Sequence, residues 1–547
     1  MGPFEAEANH DQAANEETAL IASNEPQSTA WKAPPGFVWI ESAIMTNVFL
    51  YGFDGTITAA TYAIISSDFD AANTASWITT SYLITSTAFQ PLYGRFSDIF
   101  GRRACFFTAT NTFALGCLGC GLASNVALLN VMRALTGFGG GGLMTMATIV
   151  NSDMIPFRQR GMYQALQNGL YGFGAICGAS FGGTIADTIG WRWCFLLQVP
   201  ISVTALLLGW LVIRNPPSTT GVDLTGGLKD AWQHIDLAGA FLLVSGLSIQ
   251  LVGLSLGGNE LPWSNPWVII SLVGSFGLLA LFLVVEAKTS AIPIIPLKML
   301  RGQLPISIQV ANVCAGLAAY AYLFMLPLYF QVVLKDSATK AGARLAIPSL
   351  AFPLGSFISG IIMSRWGRLI GLVRAGSMWM AFGNALVATL GFHDQSWKYF
   401  IFIFPANIGQ GIVYPAILFT SLAAFDHADH AVTASTVYLI RSMGSVYGVA
   451  ITSAILQNTL SVRLPEALSE IPDKWRYIDA IRHSVTALKD LPANVQLTAR
   501  LIYYDGIRYS FMASAIIAAI GTVVSLLVKG RGLRSTSSKG KDAEPEV

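Results

Sequence analysis

Charge is scarce in this chain. Lys, Arg, Asp and Glu supply 12% of its 547 residues and hydrophobic residues 53%, whereas an ordinary soluble domain carries about 25% charged residues. So small a supply cannot coat several water-facing domains, which excludes a soluble multidomain enzyme. Basic and acidic residues nearly cancel, Lys+Arg 33 against Asp+Glu 31, and are dispersed, so nucleic acid is not expected as a partner. The G-x-x-x-x-G-K-[ST] pattern of an ATP site is missing: the run Gly139-Gly140-Gly141-Gly142 continues into Leu143-Met144, with no lysine to reach a phosphate. No N-x-[ST] sequon occurs, so no glycan helps to place the loops. Neither is there a basic leader. The first 35 or so residues are acidic (Glu5, Glu7, Asp11, Glu16, Glu17 and Glu25 against Lys32), and the first apolar block is expected to act as an uncleaved signal anchor. A disulfide framework is not implied either. Cys105, Cys117, Cys120, Cys177, Cys194 and Cys314 lie within or beside apolar blocks, where a thiol is a small hydrophobe. The Cys117-x-x-Cys120 pair has no basic neighbour to activate it, so packing is the better reading than redox or metal chemistry.

What is present is apolar length. Blocks of about 18 to 25 residues, enough to cross a hydrocarbon layer of about 30 Å, alternate with short polar pieces. They give fourteen candidate spans, near 38–60, 76–94, 104–124, 127–149, 163–186, 194–213, 237–257, 266–286, 307–331, 343–363, 370–391, 399–421, 432–456 and 508–528. The fold class is therefore an all-α polytopic membrane protein arranged six, two and six. Short loops on one side carry Arg95, Arg102, Arg103, Arg158, Arg160, Arg214, Lys229, Lys288, Lys298 and Arg301, and the opposite loops little beyond Arg192. The positive-inside rule then puts those loops and both termini in the cytosol. The loop with Lys335, Lys340 and Arg344 runs against this orientation. The expected organisation is a disordered acidic tail over 1–37, a six-helix bundle over 38–213 and a linker with two extra spans over 214–305. A second bundle follows over 306–528, with a luminal loop at 461–507 that includes a surface amphipathic helix, and then a basic tail over 529–547.

The halves echo each other. Gly94-Arg95-Phe96-Ser97-Asp98-Ile99-Phe100-Gly101-Arg102-Arg103 closes the second span, and Gly360-Ile361-Ile362-Met363-Ser364-Arg365-Trp366-Gly367-Arg368 closes the tenth, as in transporters built from repeated halves. In the first copy Gly94 and Gly101 permit close approach and a tight turn, while Asp98 with Arg95, Arg102 and Arg103 can form a charge latch. A plain positive-inside anchor would explain the arginines but not the glycines and the aspartate. This stretch resembles the signature G-x-x-x-D-x-x-G-R-[RK] of the major facilitator superfamily. Arg133 in Arg133-Ala134-Leu135-Thr136-Gly137 resembles the family's R-x-x-x-G element. Gly174 to Gly183, with Gly178, Gly182 and Gly183, resembles its antiporter motif G-P-x-x-G-G, with Ala179 in place of the proline. Small residues at that spacing also suit simple helix packing.

The fourteen-span layout, Phe53-Asp54-Gly55-Thr56-Ile57 and Trp191-Arg192-Trp193-Cys194-Phe195 resemble the fungal drug:proton antiporters. Asn151–Gly174 and Tyr329–Gly342 are most similar to the vacuolar basic amino acid transporters of yeasts. That resemblance implies a proton-coupled antiporter that loads Lys, Arg and His into the vacuole. The same machinery would serve efflux of drugs or organic cations at the plasma membrane, and a non-transporting nutrient sensor is a further alternative. No enzyme is expected, since no ligand cluster or nucleophile elbow sits at a membrane face.

Asp54 carries the sharpest argument. A charged, unpaired carboxylate in an apolar helix costs several kcal/mol, so it is expected to load and release a proton or to pair with a cationic substrate; Arg133 in the fourth span is its natural electrostatic counterpart, with a coupling role implied by the family resemblance. A capping role between Gly52 and Gly55 is the bland alternative. Gln164, Gln167, Asn168, Asn312, Tyr320 and Asn407 are candidates for the substrate pathway, or for interhelical hydrogen bonds. Gln410 and Tyr414 could share it, Arg441 reads as structural, and Asp236 and Glu286 as helix-end caps. His427 and His430 have metal-ligand spacing but suit a solvated turn better. Glu16-Glu17-Thr18-Ala19-Leu20-Ile21 fits the acidic dileucine pattern read by sorting adaptors on the vacuolar route. Protons, a small-molecule substrate, the bilayer and that adaptor are thus the expected partners of a monomer, with no cofactor and no metal.

Overall fold

The computed structural model describes residues 33–69, 75–214, 236–257, 261–289, 291–425, 427–469, 474–483 and 492–527. Among these residues the regular elements are helices, with an isolated bridge between Gly257 and Leu261. The helices are α1 (Phe37–Asp68), α2 (Ala75–Phe100), α3 (Arg102–Gly121), α4 (Val126–Met154), α5 (Phe157–Thr188) and α6 (Arg192–Val212). Next come α7 (Leu237–Leu256), α8 (Pro266–Lys288), α9 (Gln303–Leu328), a helix Ala338–Ser349 that runs with a one-residue interruption into α10 (Ala351–Trp366), and α11 (Leu369–Ala388). The chain closes with α12 (Ser396–Ala423), α13 (His430–Ala467) and α14 (Ala493–Leu527). Among the described residues, 10 helices are long and apolar enough to cross a membrane. α1, α2, α4 and α5 are as long, but their Ser, Thr, Gln and Gly content makes them more polar.

α1 to α6 pack on one another, with α1 against α5 and α6 and α4 against α2 and α3; α9 to α14 form a second group, with α13 and α14 against α9 and α12 against α10 and α11. α7 leans on α2 and α13, and α8 on α7. Trp267, Ile270, Val273 and Phe276 on α8 are 61–72% exposed, the surface of a helix that faces lipid. Asp236 caps α7 as read, whereas Glu286 is buried inside the last turn of α8 and ties down the following segment instead of capping a helix end. The Asp236 carboxylate accepts from Gly239 N at 2.8 Å, and that of Glu286 accepts from Ile295 N at 2.7 Å. Gly101 (φ 89°) and Gly367 (φ 65°), at corresponding places in the echo, make turns that a side chain would strain.

The segment read as a loop over 461–507 is helical at both ends, a correction to its boundaries. α13 runs on to Ala467 and α14 starts at Ala493, because the two extensions brace each other through an ion pair of Arg463 with Asp505 and a 2.9 Å bond from Arg463 to the Tyr509 hydroxyl. The amphipathic stretch is a helix, Lys474–His483, whose Ile478 and Ile481 are buried in the core formed by α13 and α14, while Trp475 stays exposed. The basic loop that ran against the orientation holds one carboxylate among its three cations. Asp336 bonds Lys340 at 2.7 Å and Arg344 at 2.6 Å, and Lys335 reaches Gln496 at 2.6 Å. Burial raises the Asp336 carboxyl, but the hydrogen bonds and charges of Lys340 and Arg344 outweigh it and hold it below the usual carboxylate range. Its stabilisation is therefore present at neutral pH and is lost only as pH falls through that lowered value.

Candidate functional site

Asp54 and Arg133 meet. Arg133 Nη1 donates to both Asp54 carboxylate oxygens, at 3.0 and 2.9 Å, and Nε donates to the Ile78 carbonyl at 3.1 Å. Both residues are 0% exposed. Gln198 Nε2 adds a 3.3 Å bond to Asp54 Oδ1, and the guanidinium sits 4.5 Å over the Tyr82 ring and 5.7 Å from that of Phe195. The pair thus ties α1, α2, α4 and α6 together where both charges have left water. Such a pair survives only if both members remain, since removing one typically costs about 3–5 kcal/mol.

The remaining predicted residues divide between the space separating the bundles and interior glue. Asn168 donates to Ser356 of α10 at 3.1 Å, and Gln164 lies 3.4 Å from both Asn168 and Thr148. Gln164 and Gln167 line a small space with Thr148, Asn151, Ser152 and Arg160 of the first bundle and Phe419 and Leu422 of the second. Tyr320 stands among helices of both bundles yet keeps 40% of its surface accessible. It contacts Tyr171, which packs at 5.8 Å on Tyr51. Asn312 donates to the Val437 carbonyl at 2.8 Å and accepts from Arg441 Nε at 3.3 Å. Asn407 is committed elsewhere. Its amide accepts from Tyr322 at 2.8 Å and donates to the Pro348 carbonyl at 3.1 Å, beside the helix interruption before Ala351.

Of the latch residues, Arg95, Asp98 and Arg102 form one charged cluster, and Arg103 bonds elsewhere. Arg102 donates to Asp98 at 2.6 Å, to Asp153 at 2.7 Å and to the Ser97 hydroxyl at 2.8 Å. Arg95 lies 3.8 Å from Asp98, and Arg103 bonds the Trp210 carbonyl at 2.9 Å. At the same end the bundles touch. Gly94 lies against Ala431 and Ser435 of α13, and Gly161 against Gly360. Phe157 packs on Phe419 with centroids 5.8 Å apart, and Thr148 bonds the Tyr438 hydroxyl at 2.7 Å. His430 is not in a solvated turn as expected: it is buried, with Nδ1 3.1 Å from Arg160 Nη1.

In the stretch read as an antiporter motif, Gly174 and Gly178 seat α5 on α1, and Gly52 does the same from the other side. A Cβ on Gly178 would overlap the Thr56 hydroxyl and the Phe53 carbonyl and lie 3.0 Å from Ile57 N, whereas one on Gly183 meets nothing within 4 Å. Gly182 offers its carbonyl to Cys194 Sγ at 3.6 Å. Gly178→Leu should therefore destabilise by about 1–3 kcal/mol or more through overpacking, while Gly183→Ala should be close to neutral; thermal unfolding followed by size-exclusion chromatography separates the two.

Sequence reasoning passed over Gln198, Tyr82, Tyr51 and Tyr171. It also passed over Glu41, a carboxylate that is 8% exposed in the first turns of α1. A lone glutamate in the first apolar block was the available signal for Glu41. Glu16, Leu20 and Ile21 lie outside the described residues.

Known proteins resemble the chain along most of its length. The pattern of the Major Facilitator Superfamily matches residues 44–449. Vacuolar basic amino acid transporter 2 of Saccharomyces cerevisiae is 44% identical over 459 residues, 83% of this chain and 97% of that protein. Multidrug resistance protein fnx1 of Schizosaccharomyces pombe is 34% identical over 491 residues, 89% of this chain and 91% of that protein. Among solved structures, the proton:xylose symporter XylE superposes with a TM-score of 0.53 at 14% identity, covering 86% of this chain and 95% of that one.

Proposed function

This chain belongs to the major facilitator superfamily of membrane transporters, and from that premise we propose that it exchanges protons for basic amino acids, carrying lysine, arginine and histidine from cytosol into the vacuole. The observation that carries the reading is the dry Asp54–Arg133 pair beside an accessible, tyrosine-lined space between the bundles. A proton arriving on Asp54 from the acidic lumen neutralises one member of the pair, Arg133 is released, and the bundles rock. Loss of that proton to the cytosol restores the pair. A membrane potential supplies about 2.3 kcal/mol per charge per 100 mV, and each pH unit adds about 1.4 kcal/mol.

The proposal includes fourteen spans with both termini cytosolic. It keeps the bundles at 38–213 and 306–528 with the extra pair in 214–305, and draws the luminal segment between α13 and α14 more tightly than 461–507. The latch end, where Gly94, Arg95, Asp98, Gly101, Arg102 and Arg103 gather, is cytosolic and closed. The tail bearing Glu16, Leu20 and Ile21 is its address to the vacuolar membrane. The substrate reading is supported by the likeness to a protein named as a vacuolar basic amino acid transporter. Efflux of drugs or organic cations is the second reading, supported by the likeness to a multidrug resistance protein. Vacuolar vesicles from cells with and without this gene, energised by ATP through their own proton pump, decide between them. Uptake of labelled lysine, arginine or histidine is expected to fall by more than half without it; unchanged uptake favours the second reading.

A further inference from the structure

Arg441 stands about 16 Å along α13 from His430 at 1.5 Å per residue, deep between the bundles, and every partner it has there is neutral. Nε donates to Asn312 Oδ1 at 3.3 Å, Nη2 donates to the Tyr414 carbonyl at 3.1 Å, and the guanidinium carbon lies 4.1 Å over the Tyr414 ring and 5.5 Å from that of Tyr438. Asn312 is itself fixed by its bond to the Val437 carbonyl. The polar groups facing the guanidinium are Tyr414, Tyr438 and Tyr320, and among the described residues no carboxylate faces it. Arg133, Arg102 and Arg344 all have an aspartate within 3 Å. A cation kept at this depth without a protein anion, yet only half buried, marks a site that an anion completes. A guanidinium has five N–H donors in a planar fork that matches a carboxylate edge-on.

Beside Arg441, Tyr320 is 40% exposed and leads through Tyr171 to Tyr51. Tyrosine faces attract ammonium and guanidinium groups. A fixed cation and a run of aromatic side chains, Tyr320, Tyr171 and Tyr51, thus stand side by side between the bundles.

We propose that Arg441 binds the α-carboxylate of the transported amino acid while its cationic side chain lies over Tyr320, Tyr171 and Tyr51. The assignment rests on the amino acid reading above and sharpens it: a cation without a carboxylate leaves Arg441 unpaired and is a poor substrate.

The test uses the purified full chain in liposomes with an imposed pH gradient and labelled lysine. On the wild-type protein, unlabelled lysine should compete at least about tenfold better than lysinamide, which keeps both amines and replaces the carboxylate by a neutral amide; a charge-assisted bond is worth that much. Arg441→Gln should raise KM for lysine at least about tenfold, with Arg441→Lys between the two. Equal competition by lysinamide, or an Arg441→Gln protein with unchanged KM, overturns the assignment and leaves lysine transport standing. No lysine uptake by the wild-type protein overturns the amino acid reading and the assignment with it. The competition arm needs no mutant and holds even if Arg441→Gln does not fold.

Discussion

Asp54→Asn should lose both stability and coupling, and the two losses can be separated. An amide in place of the carboxylate leaves Arg133 charged at 0% exposure, with only the neutral amide oxygen, the Ile78 carbonyl and aromatic faces around it. Breaking a buried pair in this way costs about 3–5 kcal/mol, a large part of the 5–15 kcal/mol that holds an ordinary domain together. The single variant should therefore unfold at a clearly lower temperature. Asp54→Asn combined with Arg133→Gln removes both charges, and its thermal midpoint should return most of the way to wild type. Flux driven by a pH gradient should remain absent in the double variant, because no titrating group is left at the pair. Exchange of labelled for unlabelled lysine without a gradient should persist, since it needs only the substrate site and the rocking motion. If the double variant keeps gradient-driven flux, the coupling group lies elsewhere, and Glu41 is the next carboxylate to test.

How much of this was legible beforehand follows from the uniqueness of each signal. The long helices were readable because an apolar block of a given length has few alternatives, and the signature after the second span was readable because two glycines and an aspartate at fixed spacing have a joint purpose. Asp54 and Arg133 were readable as partners because two opposite charges in apolar helices must each find something. Gln198 was not, since a glutamine in a span can bond any nearby carbonyl and no spacing points at Asp54. Arg441 was taken for a structural residue. Only the structure places neutral acceptors around it and an accessible tyrosine at its side. Asn407 has the composition of a pathway residue, but both ends of its amide serve Tyr322 and the carbonyl of Pro348. The ends of α13 and α14 were misplaced because their extensions are polar and are stabilised by each other, through Arg463, Asp505 and Tyr509, rather than by lipid.

Gly94→Val should abolish transport without unfolding the protein. At Gly94 the backbone of α2 lies directly on α13, at one end of a contact that also includes the Ser442–Gln90 bond at 3.2 Å. A Cβ there would overlap the Ser435 hydroxyl and lie 2.8 Å from the Ala431 carbonyl, backbone that cannot give way as a flexible side chain can. Both contacts cross between the bundles, whereas the bonds of Arg102 to Asp98, Asp153 and Ser97 remain within the first bundle. A branched side chain at Gly94 therefore taxes only the arrangement in which the latch end is shut. Overpacking of this kind costs about 1–3 kcal/mol, and a shift of that size between two states is about a 5- to 150-fold change in their ratio. The variant is expected to rest with the latch end open and to load cargo without delivering it. On a background free of native cysteines, a cysteine at Ser152, buried in the small space beneath the latch, reports the difference. Its labelling by a membrane-impermeant thiol reagent from the cytosolic side should be slow in the parent and at least about fivefold faster with Gly94→Val. Equal labelling, with transport intact, would show that closure at this end does not depend on the contact between α2 and α13.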